Sequence, residues 1–217
     1  MSGQGQEQGK GKKLVFVGDS GVGKTCIISC FIKGTFDDNS LAGTVSYSSK
    51  KLEIPEIGES IIFDIWDRAG QERYRSLTKF FFQGAKIAIL VYDITRKETF
   101  DNLKNEWYKQ IKEHGDEDVI LGIAGNKSDL YDEEAVSEQE ARDFAKSIGA
   151  VFSLTSAQNN SGIDDLFRNL ARKYLGLDSS ADGNKKPNKP NKPSQNSGTI
   201  KIDQINVNKK DEKKKCC

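Results

Sequence analysis

The chain has 217 residues, four cysteines and a formal net charge of +1, enough for one domain of ordinary size with appendages. The charge is uneven: residues 178–217 carry ten lysines against five acids, residues 1–13 a net +2, and residues 14–177 a net −6. An acidic body argues against a nucleic-acid-binding core, which would wear its basic footprint on the folded domain. The basic tail points to an anionic surface, most simply a membrane.

Residues 1–13, MSGQGQEQGKGKK, lack the apolar run of a signal peptide and read as a disordered extension. A domain is expected over 14–177. Its first apolar run, Leu14–Val17, predicts a strand, and Thr25–Lys33 a helix. Ser46–Ile54 and Glu59–Trp66 predict two antiparallel strands joined by a turn at Pro55–Gly58. Ile87–Tyr92, Val119–Ala124 and Val151–Leu154 are short, β-branched-rich and nearly unbroken, as strands covered on both faces are. Between them, Thr99–Lys112 places Phe100, Leu103, Trp107 and Ile111 three or four residues apart, which predicts a helix. Ser137–Ile148 opens with the capping box Ser137-x-x-Glu140. Asp164–Leu175 stops before Gly176. The alternation predicts a doubly wound α/β fold: a six-stranded, mostly parallel sheet with one antiparallel strand and helices on both faces.

From 178 onward the composition changes: three of the four prolines, many Asn and Lys, and no aromatic residue. Such a segment buries too little apolar surface to offset its ordering entropy and reads as a disordered tail. Forty residues of coil would reach roughly 30–40 Å root-mean-square. Cys26 and Cys30 lie in an apolar stretch, and Cys216 and Cys217 end the sequence. No spacing suits a zinc site or a disulfide framework, so a reducing compartment is expected. No apolar run approaches the ~18 residues of a membrane span.

GDSGVGKT, residues 18–25, follows the first strand and opens the first helix. It matches G-x-x-x-x-G-K-[ST]. Glycines let successive N–H groups curl around a phosphate. Lys24 is suited to the β- and γ-phosphates, Thr25 to Mg²⁺, and the helix N-terminus adds its dipole. Asn126, Lys127, Ser128 and Asp129 follow a buried run and so sit at a strand's C-terminal end, where ligands bind in open α/β sheets. A carboxylate there accepts from both N1–H and the 2-amino group of guanine, a donor pair adenine lacks. Thr155, Ser156 and Ala157, after the last strand, would offer a backbone N–H to the guanine O6.

With these motifs in order, joined by Asp67-x-x-Gly70, the chain resembles the Ras-like small GTPases and their P-loop NTPase G domain. The stretches IFDIWD (62–67), ERYRSLT (72–78), FFFQGA (80–85) and YDIT (92–95), with the terminal cysteine pair, narrow the resemblance to the Rab family. It covers about residues 12–177. It implies a GTP-bound and GDP-bound cycle read by effectors on vesicle membranes. The nucleotide-binding set it implies is Ser20, Gly21, Val22, Gly23, Lys24, Thr25, Cys26, Phe36, Thr44, Gly70, Asn126, Lys127, Asp129, Ser156, Ala157 and Gln158. Thr25 and Thr44 would bind Mg²⁺ directly, with Asp67 acting through water. Gln71 would orient the attacking water, and Phe36 would pack on the base. Hydrolysis is expected to be slow without an activating protein, about 10⁻⁴–10⁻² s⁻¹. The resemblance also implies an exchange factor, effectors, and escort and GDP-dissociation-inhibitor proteins. Terminal cysteine pairs in such proteins imply two geranylgeranyl chains on Cys216 and Cys217. Two lipids beside a lysine run give stable anchoring on the cytoplasmic face of a vesicle, endosome or Golgi membrane, with a cytosolic pool.

The sequence departs from the family in three places. Counting forward from the phosphate loop puts the metal-binding threonine at Gly43, whereas counting back from Trp66 puts it at Thr44. Thr44 is taken because the metal needs a hydroxyl. A glutamine, Gln158, stands where the family has lysine. Arg68 stands where relatives carry threonine. It is either tolerated, or disturbs Ala69-Gly70-Gln71 and slows hydrolysis, or stabilises charge on the phosphates. The second option would leave a GTP-binding scaffold with impaired hydrolysis. The sole histidine, His114, falls near a predicted helix end and is expected at the surface.

Overall fold

Alternate residues along each central strand go to opposite apolar clusters, and this builds the fold. The computed structural model describes residues 11–36, 45–68 and 78–177, with the backbone alone at 45, 46, 68, 78 and 79. Six strands form one sheet: β1 (Lys12–Val17), β2 (Val45–Ile54), β3 (Glu59–Arg68), β4 (Ile87–Asp93), β5 (Ile120–Asn126) and β6 (Val151–Leu154). Their order is β2-β3-β1-β4-β5-β6. All neighbours are parallel except β2 and β3, which pair antiparallel from Val45↔Arg68 to Ile54↔Glu59. The turn between them closes at Gly58, whose φ of 66° suits glycine. The predicted mixed sheet, with one antiparallel strand, is the observed one, and that strand, β2, lies at the edge.

Leu14, Phe16, Ile87, Ile89 and Val91 face one cluster, with α1 (Lys24–Lys33) and α6 (Ile163–Tyr174) packed on it. Phe167 of α6 stacks on Phe31 of α1 at 3.5 Å between centroids and meets Phe63 edge-on. Val15, Val17, Ala88, Leu90 and Tyr92 face the other cluster. It is covered by α2 (Thr78–Phe82), α3 (Lys97–Asn102), α4 (Tyr108–His114) and α5 (Glu138–Ser147). This two-faced burial explains why β4 is an unbroken apolar run: all seven of its residues are buried.

Local signals account for most boundaries. Ser137 caps α5, its hydroxyl accepting from the Glu140 amide at 3.2 Å. The reciprocal half of the capping box is diverted, because the Glu140 carboxylate goes to Lys97. Beyond α6, Leu177 N–H donates to Arg172 O and Gly176 N–H to Lys173 O, a Schellman closure with Gly176 at φ 70°. β1 starts at Lys12, two residues before the apolar run, and Lys13 reaches across to the Gln83 carbonyl at 2.9 Å. The predicted helix over Thr99–Lys112 is longer, from Lys97 to His114, and is interrupted by a π turn at Leu103–Trp107. Periodicity at 3.6 residues does not reveal such a turn. Among the described residues no helix is long and apolar enough to cross a membrane.

Candidate functional site

The strand order reverses at β1, which has β3 on one side and β4 on the other. Ligands in doubly wound sheets bind at such a point, outside the strands' C-terminal ends. Residues 18–25 leave β1 there. Gly18 has φ 143°, and a Cβ on it would lie 2.2 Å from the Val91 carbonyl oxygen. Val22 is fully buried and anchors the loop, while Ser20 and Gly21 are exposed. The Lys24 ammonium donates to the carbonyls of Gly18 (2.8 Å) and Asp19 (2.7 Å), which hold it along the loop. The residue at the N-terminus of α1 is Gly23, which carries no side chain to cap it; such a helix N-terminus suits an anion.

Thr25 follows in the first turn of α1, and its hydroxyl donates to Asp67 Oδ2 at 2.6 Å. Asp67 is buried near the end of β3, so strand and helix bring a hydroxyl and a carboxylate together at the foot of the loop. Oxygen donors alone suit a small hard cation such as Mg²⁺. Among the described residues no group of three or more His, Cys, Asp or Glu forms a self-sufficient metal site. Thr25 and Asp67 fit an ion that takes its other ligands from phosphate and water.

The other half of the site lies where β5 and β6 end. Asn126 donates through Nδ2 to the Val22 carbonyl at 2.8 Å and accepts from the Thr155 hydroxyl at 3.2 Å. One buried side chain thus ties phosphate loop, β5 and β6 together. The contact is close: a Cβ on Gly23 (φ 94°) would lie 2.2 Å from Asn126 Nδ2. Lys127 takes a left-handed conformation, φ 66°, and turns the chain so that Ser128 N–H meets the Thr155 carbonyl at 3.1 Å. Asp129 accepts from the Ser156 hydroxyl. A carboxylate has lone pairs beyond that bond for two more donors. The Ser156 amide is committed to the Ser161 carbonyl at 3.0 Å. Ala157 is held from below by Cys30, whose thiol donates to its carbonyl at 3.2 Å. Gln158 is exposed; Cys26 and Phe36 are half-buried, and Phe36 leans on the α1–α6 cluster.

Sequence reasoning missed Asp93 and Arg96. Asp93, 1% exposed, ends β4 between the two halves of the site. Its carboxylate accepts from Lys127 Nζ (2.6 Å), Arg96 Nε (3.1 Å) and the Thr95 hydroxyl (2.7 Å) and amide (3.0 Å). Burial alone would raise its pKa, but the bonds from Lys127 and Thr95 outweigh it and hold the carboxyl below the usual aspartate range. Arg96 also donates through Nη2 to the Ser20 carbonyl at 3.2 Å. The usable signal was YDIT, a polar stop on a buried strand pointing at the phosphate loop.

Thr44, Gly70, Gln71, Cys216 and Cys217 lie outside the described residues. So does the alternative Gly43. For Arg68 only the backbone is described; it ends β3 opposite Val45. Trp66 is half-buried, with its ring edge-on to the exposed Tyr47 at 5.5 Å. Phe81 is half-buried against the α2–α5 cluster, and its neighbour Phe80 is exposed. His114 ends α4 at the surface, beside Glu113.

Residues 13–176 match the Ras family. The chain is 40% identical to human Ras-related protein Rab-31 over 205 residues, 94% of this chain and 96% of that protein. It is 42% identical to human Ras-related protein Rab-22A over 168 residues, 77% of this chain and 86% of that protein. Against Ras-related protein Rab-8B of Pongo abelii, identity is 40% over 163 residues, 75% of this chain and 78% of that protein. A match of this level and length makes the chain a member of the Ras family, among the Rab small GTPases.

Proposed function

We propose that this small GTPase is a slow, Mg²⁺-dependent switch that works on a membrane in vesicle traffic. The observation that carries the reading is the 2.6 Å bond from the Thr25 hydroxyl to Asp67. It joins the phosphate loop to the end of β3, and the chain beyond that end carries Gly70 and Gln71. A change at the γ-phosphate is thereby coupled to the segment that effectors would read.

Lys24 faces the β- and γ-phosphates, and the first amides of α1 receive the oxygens between them. Thr25 and Asp67, with Thr44, would hold Mg²⁺, which when bound neutralises charge between the β- and γ-phosphates. Gln71 orients a water in line with the γ-phosphorus. As that water's oxygen bonds to phosphorus, the bond to the β-phosphate oxygen breaks, GDP leaves with the electron pair, and the water's proton goes to the released phosphate. Asp129 reads N1–H and the 2-amino group of guanine. Thr44 and Gly70 touch the γ-phosphate or its metal only in the GTP state. Cys216 and Cys217 carry two prenyl chains, which the adjacent lysines assist at an anionic leaflet. An exchange factor, an activating protein, effectors, and escort and GDP-dissociation-inhibitor proteins complete the cycle.

Single-turnover release of phosphate from radiolabelled GTP tests this on the native chain, Arg68→Thr and Gln71→Leu. Turnover of about 10⁻⁴–10⁻² s⁻¹, equal in Arg68→Thr and lowered in Gln71→Leu, supports the switch. An inert native chain that Arg68→Thr revives would overturn it in favour of a GTP-binding scaffold.

A further inference from the structure

Asp19 sits inside the phosphate loop, an unexpected place for a carboxylate that must share space with phosphates. Its side chain turns outward to the rod formed by α3, the π turn and α4. Oδ2 accepts from Asn102 Nδ2 at 2.8 Å, and Oδ1 accepts from the Trp107 indole N–H at 2.7 Å. Both carboxylate oxygens are engaged, each by a different residue.

Asn102 and Trp107 are five residues apart. On an α-helix of 3.6 residues per turn they would point roughly 140° apart and could not serve one carboxylate. The π turn at Leu103–Trp107 removes that obstacle, and the Tyr108 N–H bonds five residues back to the Leu103 carbonyl. An i→i+5 turn stacks residues five apart on one face. The same rod makes a further contact at its start, where Arg96 donates to the Ser20 carbonyl. Asp19 is also the residue whose carbonyl holds the Lys24 ammonium. The side chain gripped from outside and the carbonyl used inside thus belong to one residue.

We propose that Asn102 and Trp107 are positioning residues: through Asp19 they hold the phosphate loop in its anion-accepting shape and the carboxylate away from the bound phosphates, and so set how long nucleotide stays. This rests on the nucleotide-binding reading of the loop. Trp107 acts on the off-rate through its hydrogen bond to Asp19.

The test is the release of N-methylanthraniloyl-GDP from the full chain into excess GDP, followed by fluorescence. Trp107→Phe keeps an aromatic ring but removes the indole N–H together with part of the ring's packing, which the Asp19→Ala background separates. A hydrogen bond to a charged group carries enough free energy for release to quicken about tenfold, with the association rate little changed. Asn102→Ala removes the other donor and should act in the same direction. Asp19→Ala removes the gripped group itself, so in that background Trp107→Phe should add nothing. In the ¹⁵N spectrum the Trp107 indole proton should move upfield on Asp19→Ala. Release at the native rate from both Trp107→Phe and Asn102→Ala overturns the proposal. So does an equal acceleration by Trp107→Phe with and without Asp19, because a packing defect behaves that way. Failure of the native chain to retain the GDP probe would instead remove the nucleotide-binding reading beneath it.

Discussion

At the proposed phosphate end of the site the groups on offer are mostly backbone, whereas at the proposed base end they are side chains. Residues 18–25 offer amides and carbonyls shaped by glycines, with Lys24 held by two of those carbonyls. The base end relies on Asn126, Thr155, Asp129 and Ser156, brought from two strands that meet only in the sheet. Backbone recognition tolerates almost no change in shape, so it depends on the neighbours that hold that shape, Asn102, Trp107 and Asn126. Side-chain recognition tolerates loop movement but loses specificity with a single atom. The two ends share the Asn126–Val22 bond and, beside it, Asp93.

Gly23→Ala strikes both ends at once and should have the largest effect. Its φ of 94° strains any L side chain, and the new Cβ would sit 2.2 Å from Asn126 Nδ2. Either the loop or Asn126 must shift. Left-handed strain of ~1–2 kcal/mol and a ~1–3 kcal/mol overlap together predict about 10³-fold weaker GDP binding, measurable by equilibrium titration. Asp129→Asn should break the base end alone. One charge-assisted bond is lost and an amide donor faces the guanine 2-amino group, so guanine nucleotide should bind about 10²-fold more weakly. The variant should prefer a base with a carbonyl at C2. Equal losses for guanine and xanthine nucleotides would show that Asp129 acts on the loop rather than on the base.

The same contrast explains what was legible in the sequence. A phosphate loop made of backbone is written in consecutive residues, so GDSGVGKT alone was enough to propose its contacts. Asn126 and Asp129 could be proposed as base readers because ligands bind at strand ends in this fold. Their partners Val22 and Ser156 are contacts between segments more than 25 residues apart, and no local pattern states them. Strand length and the apolar runs exposed the sheet, including its one antiparallel strand, though not that strand's place at the edge. The π turn stayed hidden because Phe100, Leu103, Trp107 and Ile111 fit ordinary helical spacing. The Tyr108 N–H on the Leu103 carbonyl and the Trp107 indole N–H on Asp19 show that the rod leaves that spacing.

Asp93→Asn tests whether the two ends depend on a shared counter-charge. It leaves Lys127 and Arg96 without their buried carboxylate. Removing one partner of a buried pair costs ~3–5 kcal/mol, and here the lower end applies because both cations retain solvent contact. Urea unfolding at neutral pH should show a loss of about 3 kcal/mol. The folded pKa of Asp93 is depressed, so its contribution is complete above the unfolded value near ~3.9 and fades as pH falls through the folded value. The gap between native chain and variant should therefore hold steady from about pH 7 to pH 5 and narrow below about pH 4. A gap that widens in acid would mean the carboxyl is protonated more readily in the folded state, contrary to the depressed value.

The smallest effect belongs to Tyr92, one residue earlier on β4 and under the base end. Its ring is fully buried against Phe100, with centroids 4.8 Å apart, and its hydroxyl oxygen lies where a Cβ on Gly125 would be, 2.6 Å away. Among the described residues that hydroxyl has no hydrogen-bond partner, and burial pushes its pKa up. A buried donor without an acceptor carries its desolvation penalty uncompensated. Tyr92→Phe removes the penalty and keeps the ring contact. It should stabilise the fold by up to about 1 kcal/mol, a rise of ~2–4 °C in Tm for a domain of this size. GDP affinity should stay within about twofold, because Gly125 contributes backbone rather than a side chain to the base end. A loss of stability beyond about 1 kcal/mol would mean instead that the hydroxyl bonds a buried water, and that the base end rests on a polar floor rather than an apolar one.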